Sequence, residues 1–264
     1  MFVVVCLLTI GFVALYWVGN RYTFRHVGGI IPPAGIDAHT FAGAFLFGLA
    51  MFGTLFLGVV LAIFLTLGVV RGDAERGLLQ PLVVRPVGRS TVLVARFLGA
   101  AAVCVPYVLG LYFATMGLTA AEGGWWPDRI VTPGLELAAG VLLVAALSLL
   151  GSVFLSSIAN GIAVFMVFGG GLVAGLLGNI GHVLNSHGLI HAAKIAAWAM
   201  PFEALYQDAL REITQDTSGL TGFLLRLGPF GGAEQGGIPL RLWSVAYLAI
   251  VAAVALGGFA RRDL

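Results

Sequence analysis

Apolar residues gather in this chain into six long stretches, at about residues 1–19, 41–70, 91–119, 134–159, 161–180 and 242–260, with polar residues mainly in the gaps. None of the six alternates apolar with polar positions, as a half-buried strand would. Each reaches the roughly 20 residues that cross about 30 Å of hydrocarbon at 1.5 Å per residue. Within lipid only helices and closed barrels satisfy their own backbone groups, and runs this long predict helices. The second and third runs exceed the required length and are expected to tilt or project beyond the bilayer. The first lacks a basic lead-in and a small-residue cleavage site, so it reads as a span rather than a removable signal. Tyr16 and Trp17 near its far end suit an interfacial aromatic belt.

The gaps carry their own patterns. Gly28-Gly29 and Pro32-Pro33 in residues 20–40 are turn chemistry. Residues 120–133 end the third helix and place Trp125 and Trp126 at interfacial depth, while Ser156–Asn160 predicts a tight turn between the fourth and fifth spans. The fifth span is rich in glycine. Gly171 and Gly175 form a small-x-x-x-small pair that lets another backbone approach closely, either a second copy or a neighbouring helix. The gap at 181–241 is too long for a connector. In it, Phe202, Leu205, Tyr206, Ala209, Leu210 and Ile213 recur at helical spacing behind Pro201, with Glu203 and Asp208 early. That predicts an amphipathic helix on the outer surface ending near Gly219, followed by a glycine-rich lead into the last span.

Composition sharpens the class. A chain that is 59% hydrophobic and 10% charged, with a mean hydropathy of +1.01, is excluded from the ordinary soluble domains. The expectation is one polytopic all-α membrane domain over residues 1–264. A net charge of +2 gives nucleic-acid binding no footing. Cys6 and Cys104 lie far apart in apolar runs and match neither a metal nor a disulfide pattern, so buried, inert thiols are expected.

Charge distribution sets the expected orientation. Residues 71–96 hold Arg71, Arg76, Arg85, Arg89 and Arg96 between two apolar runs, and Arg261 and Arg262 close the chain. The opposite side carries Arg21, Arg25, Arg129, Lys194, Arg211, Arg226 and Arg241, an equal seven. Four of these lie in the long 181–241 loop, where charge constrains topology weakly. Short loops then favour a cytoplasmic 71–90 loop and both termini in the cytoplasm.

Candidate chemistry is sparse. His187 and His191 are four apart and would share a helix face, with His182 nearby, a spacing that could bind a transition metal, yet no Cys, Met or carboxylate cluster joins them, and solvated outer histidines are the simpler reading. Glu136, near the outer start of the fourth span, either lines a polar cavity or sits at headgroup level; the second is the simpler expectation. The single lysine, Lys194, lies between Ala193 and Ile195, so no Walker A loop is present, and no His is followed by Glu, which excludes the H-E-x-x-H signature. No nucleophile, base or metal constellation marks an intramembrane enzyme.

At residues 72–97, GDAERGLLQPLVVRPVGRSTVLVARF, the chain resembles the ABC-2-type permease superfamily. Gly72, Asp73, Glu75, Gly77, Pro86, Val87, Gly88, Arg89, Arg96 and Phe97 fall on the family's acidic segment, P-[VLI]-[SG]-R turn and third-span opening. Leu78 stands where Thr is usual and Arg96 where Lys is common. MPFEALY after the fifth span and FARRDL at the end also resemble members. The chain starts inside its first span, where members usually have a basic interfacial helix first.

The resemblance implies a six-span permease fold in the cell membrane and the transport half of an ATP-binding cassette exporter. ATP and Mg would be bound by a partner ATP-binding subunit, with no cofactor on this chain itself. A coupling helix in the 71–90 loop would dock on that subunit through Asp73, Glu75, Arg76, Gly77, Arg85, Pro86 and Arg89. A second copy or a related permease would complete the pair, the dimer seam passing Gly171 and Gly175, with membrane lipid around both. The alternative is a membrane scaffold or assembly factor coupled to an ATPase without a diffusible solute.

Overall fold

The computed structural model describes residues 2–32, 36–67, 89–214 and 236–260, and among these the chain is helical, with no strand. The helices are α1 (Phe2–Arg25), α2 (Ala38–Thr66), α3 (Arg89–Gly123), α4 (Thr132–Phe154), α5 (Ser157–Val183), α6 (His187–Ala199), α7 (Pro201–Glu212) and α8 (Gly237–Ala260). Among the described residues six, α1 to α5 and α8, are long and apolar enough to cross a membrane. The protein is therefore an all-α, multi-pass membrane protein. The 35 residues of α3 extend about 52 Å, well past the hydrocarbon, as the overlong third run predicts.

The helix ends have local causes. Asp37 caps α2, its carboxylate accepting from the backbone N–H groups of His39 at 3.0 Å and Thr40 at 3.2 Å. Gly124, at φ +67°, takes the left-handed conformation that ends α3. Its neighbour Trp125 packs on Gly43 and on the Phe47 ring of α2, while Trp126 is exposed. The break between α4 and α5 falls at Leu155 and Ser156, so Asn160 belongs to the first turn of α5 rather than to the turn. There its amide donates to the Ser148 carbonyl at 2.9 Å and lies against Gly151.

With α1 taken to run upward, α3 runs parallel to it. Thr9 meets the Tyr107 hydroxyl at 2.7 Å, Tyr16 meets Thr119 at 2.5 Å, and the Trp17 indole donates to Glu122 at 3.1 Å. The centre of the bundle is α2 and α4, the most buried of the six long apolar helices. Gly58 of α2 sits between Val108 of α3 and Val141 of α4, where an added Cβ would come within 2.7 Å and 2.8 Å of their methyls. At the lower end Thr66 donates to Ser148 at 2.7 Å, a hydrogen bond that ties α2 to α4.

The segment between α5 and α8 departs from expectation. Asn185, at φ +50°, reverses the chain above α5, a conformation asparagine tolerates better than most residues. Helix α6 then descends along α5, Ala193 facing Gly178 and Leu189 and Ile190 facing Gly181. Met200 breaks the helix and Pro201 opens α7, where its missing N–H costs nothing. Helix α7 climbs back until the Ile213 carbonyl accepts from the Asp128 N–H at 3.2 Å in the upper α3–α4 connection. The expected amphipathic helix exists, but it is not on the surface and it ends at Glu212 rather than near Gly219. Every residue from Pro201 to Leu210 is buried, because α7, about 18 Å long, is packed inside the bundle against α4, α5 and α8.

Candidate functional site

Helix α7 buries two polar stripes as well as its apolar one. Asp208 and Glu212, four residues apart, share a face that meets α4 and α8. Glu203 and Gln207, at the same spacing, face α5. A membrane bundle buries such groups only with partners, and each stripe has them.

On the first stripe Arg241, one turn into α8, reaches three carboxylates. Its Nε lies 2.7 Å from Glu136 Oε1 on α4, and one terminal nitrogen lies 3.5 Å from Asp208 Oδ2 and bonds Glu212. Asp208 also accepts from the Gly237 N–H at 3.0 Å, which caps the start of α8. Gly237 adopts φ +58° there. The adjacent Gly236 has no room for a side chain, since a Cβ would lie 2.9 Å from Asp208 Cγ. Glu136 is 4% exposed and Arg241 37%, so the acids are withdrawn while part of the guanidinium stays open. One guanidinium faces three acids. The surplus shows in the hydrogen bonding: Glu136 Oε2 and Glu212 Oε2 are buried without a partner.

Glu136 therefore belongs to a buried charged cluster at the upper end of α4. The carboxylate oxygens of Glu136, Asp208 and Glu212 lie within 4.8 Å of one another, the one grouping among the described residues with metal-ligand proximity. Arg241 already occupies the position a metal would take, so the cluster is an arginine-centred network.

Beside it opens a cleft of about 410 Å³ between α4 and α8, with Leu205 of α7 also in its lining; its walls are mostly leucine, alanine and valine, and its polar groups are Thr132, Glu136, Arg241 and Ser244. Its volume falls in the usual range for small-molecule sites, about 300–1,000 Å³. A cleft of about 480 Å³ at the lower end, between α2 and α5, has no charged residue in its lining.

The second stripe explains the glycines of α5. A Cβ at Gly171 would lie 2.8 Å from the Phe202 ring, and one at Gly175 would lie 2.9 Å from Gln207 Nε2 and closer still to the Glu203 carboxylate, which Gln207 hydrogen-bonds. The close approach these two residues permit is thus made to α7 of the same chain. Gly169 and Gly170 have nothing within 4 Å.

The other expected residues fall elsewhere. Asp73, Glu75, Arg76, Gly77, Arg85 and Pro86 lie outside the described residues, and Arg89 is the first residue of α3, its side chain also outside them. His187 and His191 are exposed on α6, and the side chain of His182 is not among those described. Asp208, Glu212 and Arg241 were not legible as a site: their partner Glu136 lies 105 residues before Arg241. The one available signal was a lone acid at the start of an apolar span. No family model matches the chain, and no curated protein matches it.

Proposed function

We propose that this chain is the membrane-embedded subunit of an ATP-binding cassette transporter of the ABC-2 type, working with a separate ATP-binding subunit and a second copy of itself or a related permease. The observation that carries the transport reading is the cluster of Glu136, Asp208, Glu212 and Arg241. A passive anchor has no use for ionisable groups inside an apolar bundle, and such groups mark substrate or ion pathways. Six spanning helices, with a helical pair folded in between the fifth and the sixth, fit the same reading. The ATPase enters through the sequence of the 71–90 loop, whose acids and arginines suit docking on a protein partner.

Crosslinking of the full chain in its native membrane tests this. A Walker A-containing protein should be captured by the wild type and lost with Glu75→Arg or Arg89→Glu, both variants still inserting. Capture of no ATP-binding protein, or equal capture by both variants, removes the coupling role.

In this reading the upper end of the bundle faces outward and the termini lie in the cytoplasm. In a background lacking Cys6 and Cys104, cysteines at Ser90 and Ser218 should react with an impermeant thiol reagent from opposite sides. Labelling of both from one side would break the topology.

A further inference from the structure

We infer that Glu203 is a proton-binding site, a neutral carboxyl that latches α7 onto α5 and releases it when the proton is lost. The side chain is 1% exposed. It lies in the notch that Gly171 and Gly175 open in α5, where a Cβ at Gly175 would come within 2.9 Å of Glu203 Cδ. Its hydrogen-bond partner is the side-chain amide of Gln207, which donates to Oε1. That carboxamide is only half used, since Gln207 Oε1 is buried with no partner. A carboxylate cannot satisfy this oxygen, because it accepts and never donates. A neutral carboxyl can, its O–H being the donor that Gln207 Oε1 lacks. Were the carboxamide turned over, its oxygen would face Glu203 and require the proton outright.

The surrounding charges favour the neutral form. Arg211 is the cation whose charge acts on Glu203, and it lies eight residues on, about 12 Å along the helix axis. Tyr206 of the same helix feels the carboxyl's charge, and burial keeps its own hydroxyl neutral. Asp208 and Glu212 turn to Arg241 of α8 on the other face, as does Glu136 of α4. On α6 the side chains of His187, His191 and Lys194 are exposed, as is that of His39 at the start of α2, and no described side chain of α5 titrates. Burial accordingly pushes the Glu203 carboxyl up from 4.5 to about 8, against the opposing Gln207 hydrogen bond and Arg211 charge. Ionised, it is a buried charge in an apolar notch, and the simplest relief is separation of α7 from α5 until water reaches it. The folded value lies above the unfolded one, so the contact is firmest below about 4.5, weakens as pH rises to about 8 and changes no further above that.

Infrared difference spectroscopy of the full chain in nanodiscs, wild type against Glu203→Gln, tests the proton. In mildly acidic buffer the wild type should show the carbonyl stretch of a neutral carboxyl that the variant lacks, and this band should fade as pH passes about 8. Amide hydrogen exchange of residues 201–212, corrected for its intrinsic pH dependence, tests the latch. In the wild type, opening of α7 should rise by up to about tenfold per pH unit across the window, and in Glu203→Gln it should not. If Glu203→Gln does not fold, Gln207→Met keeps the carboxyl and removes its partner, and the band should move to the position of an unbonded carboxyl. Spectra with no such band, or α7 exchange with the same pH dependence in wild type and variant, overturn the inference and leave Glu203 a carboxylate balanced by Arg211. Neither measurement needs an ATPase or a second permease, so failure here leaves the crosslinking test of coupling standing.

Discussion

Arg241→Ala is expected to be the most destructive single substitution among the described residues, lowering stability by about 3 kcal/mol or more. The loss comes less from the ion pairs than from what they leave behind. Without the guanidinium, Glu136, Asp208 and Glu212 are three acids close together, two of them buried, with no counter-charge. Removing one partner of a buried pair costs about 3–5 kcal/mol; the exposure of Arg241, 37%, argues for the lower end of that range. The same substitution removes the ion pairs that tie α8 to α4 and α7. Thermal unfolding of the purified chain in detergent measures the effect. Arg241→Met combined with Glu136→Gln, Asp208→Asn and Glu212→Gln should recover most of the lost stability, since replacing a whole buried network is often close to neutral. An Arg241→Ala protein that melts with the wild type would mean that water, not Arg241, compensates the acids.

Gly175→Leu is expected to come second. Its first side-chain atom would lie far inside van der Waals contact with the Glu203 carboxylate and 2.9 Å from Gln207. Both are buried, so any shift that makes room must be made inside the bundle. Overpacking of apolar cores costs about 1–3 kcal/mol, and displacing a buried carboxyl from its hydrogen bond adds to it. The folded yield should fall sharply, while Gly169→Leu and Gly170→Leu, open on all sides, should behave as the wild type. Gly175→Ala paired with Glu203→Ala should show positive coupling in a double-mutant cycle, as contacting residues do. A correctly folded Gly175→Leu chain that fails only to dimerise would place the glycine at a seam between copies instead.

The six spans were legible because lipid imposes length and backbone satisfaction on a sequence with few exceptions. The boundaries moved by a few residues, with Asp37 and Gly124 supplying stops that hydropathy does not see. The pair α6 and α7 was half legible. Residues 201–212 announce a two-faced helix, but amphipathicity says that a helix has two faces, not which of them is buried. In water the polar stripe of Asp208 and Glu212 would face solvent; here Arg241 on another helix makes the interior the better place for it. Residues 187–199 carry little helical signal beyond the four-residue spacing of His187 and His191, being too short to span and interrupted by Lys194. Gly171 and Gly175 announced a close contact without naming the partner. The site itself was the least legible part, since a lone Glu136 signals a cost that only a residue distant in the sequence resolves.

That distance bears on biogenesis. Glu136 leaves the ribosome first, Asp208 and Glu212 follow, and Arg241 comes last of the four. Until α8 is made, Asp208 and Glu212 lack Arg241, the cation they pair with among the spans, and Asp208 lacks the Gly237 N–H it accepts from. The hairpin of α6 and α7 therefore has its strongest reason to remain in the aqueous phase while the chain is incomplete. Insertion of the final span supplies the charge that draws it in, so the order of synthesis makes the last helix the closing step of assembly.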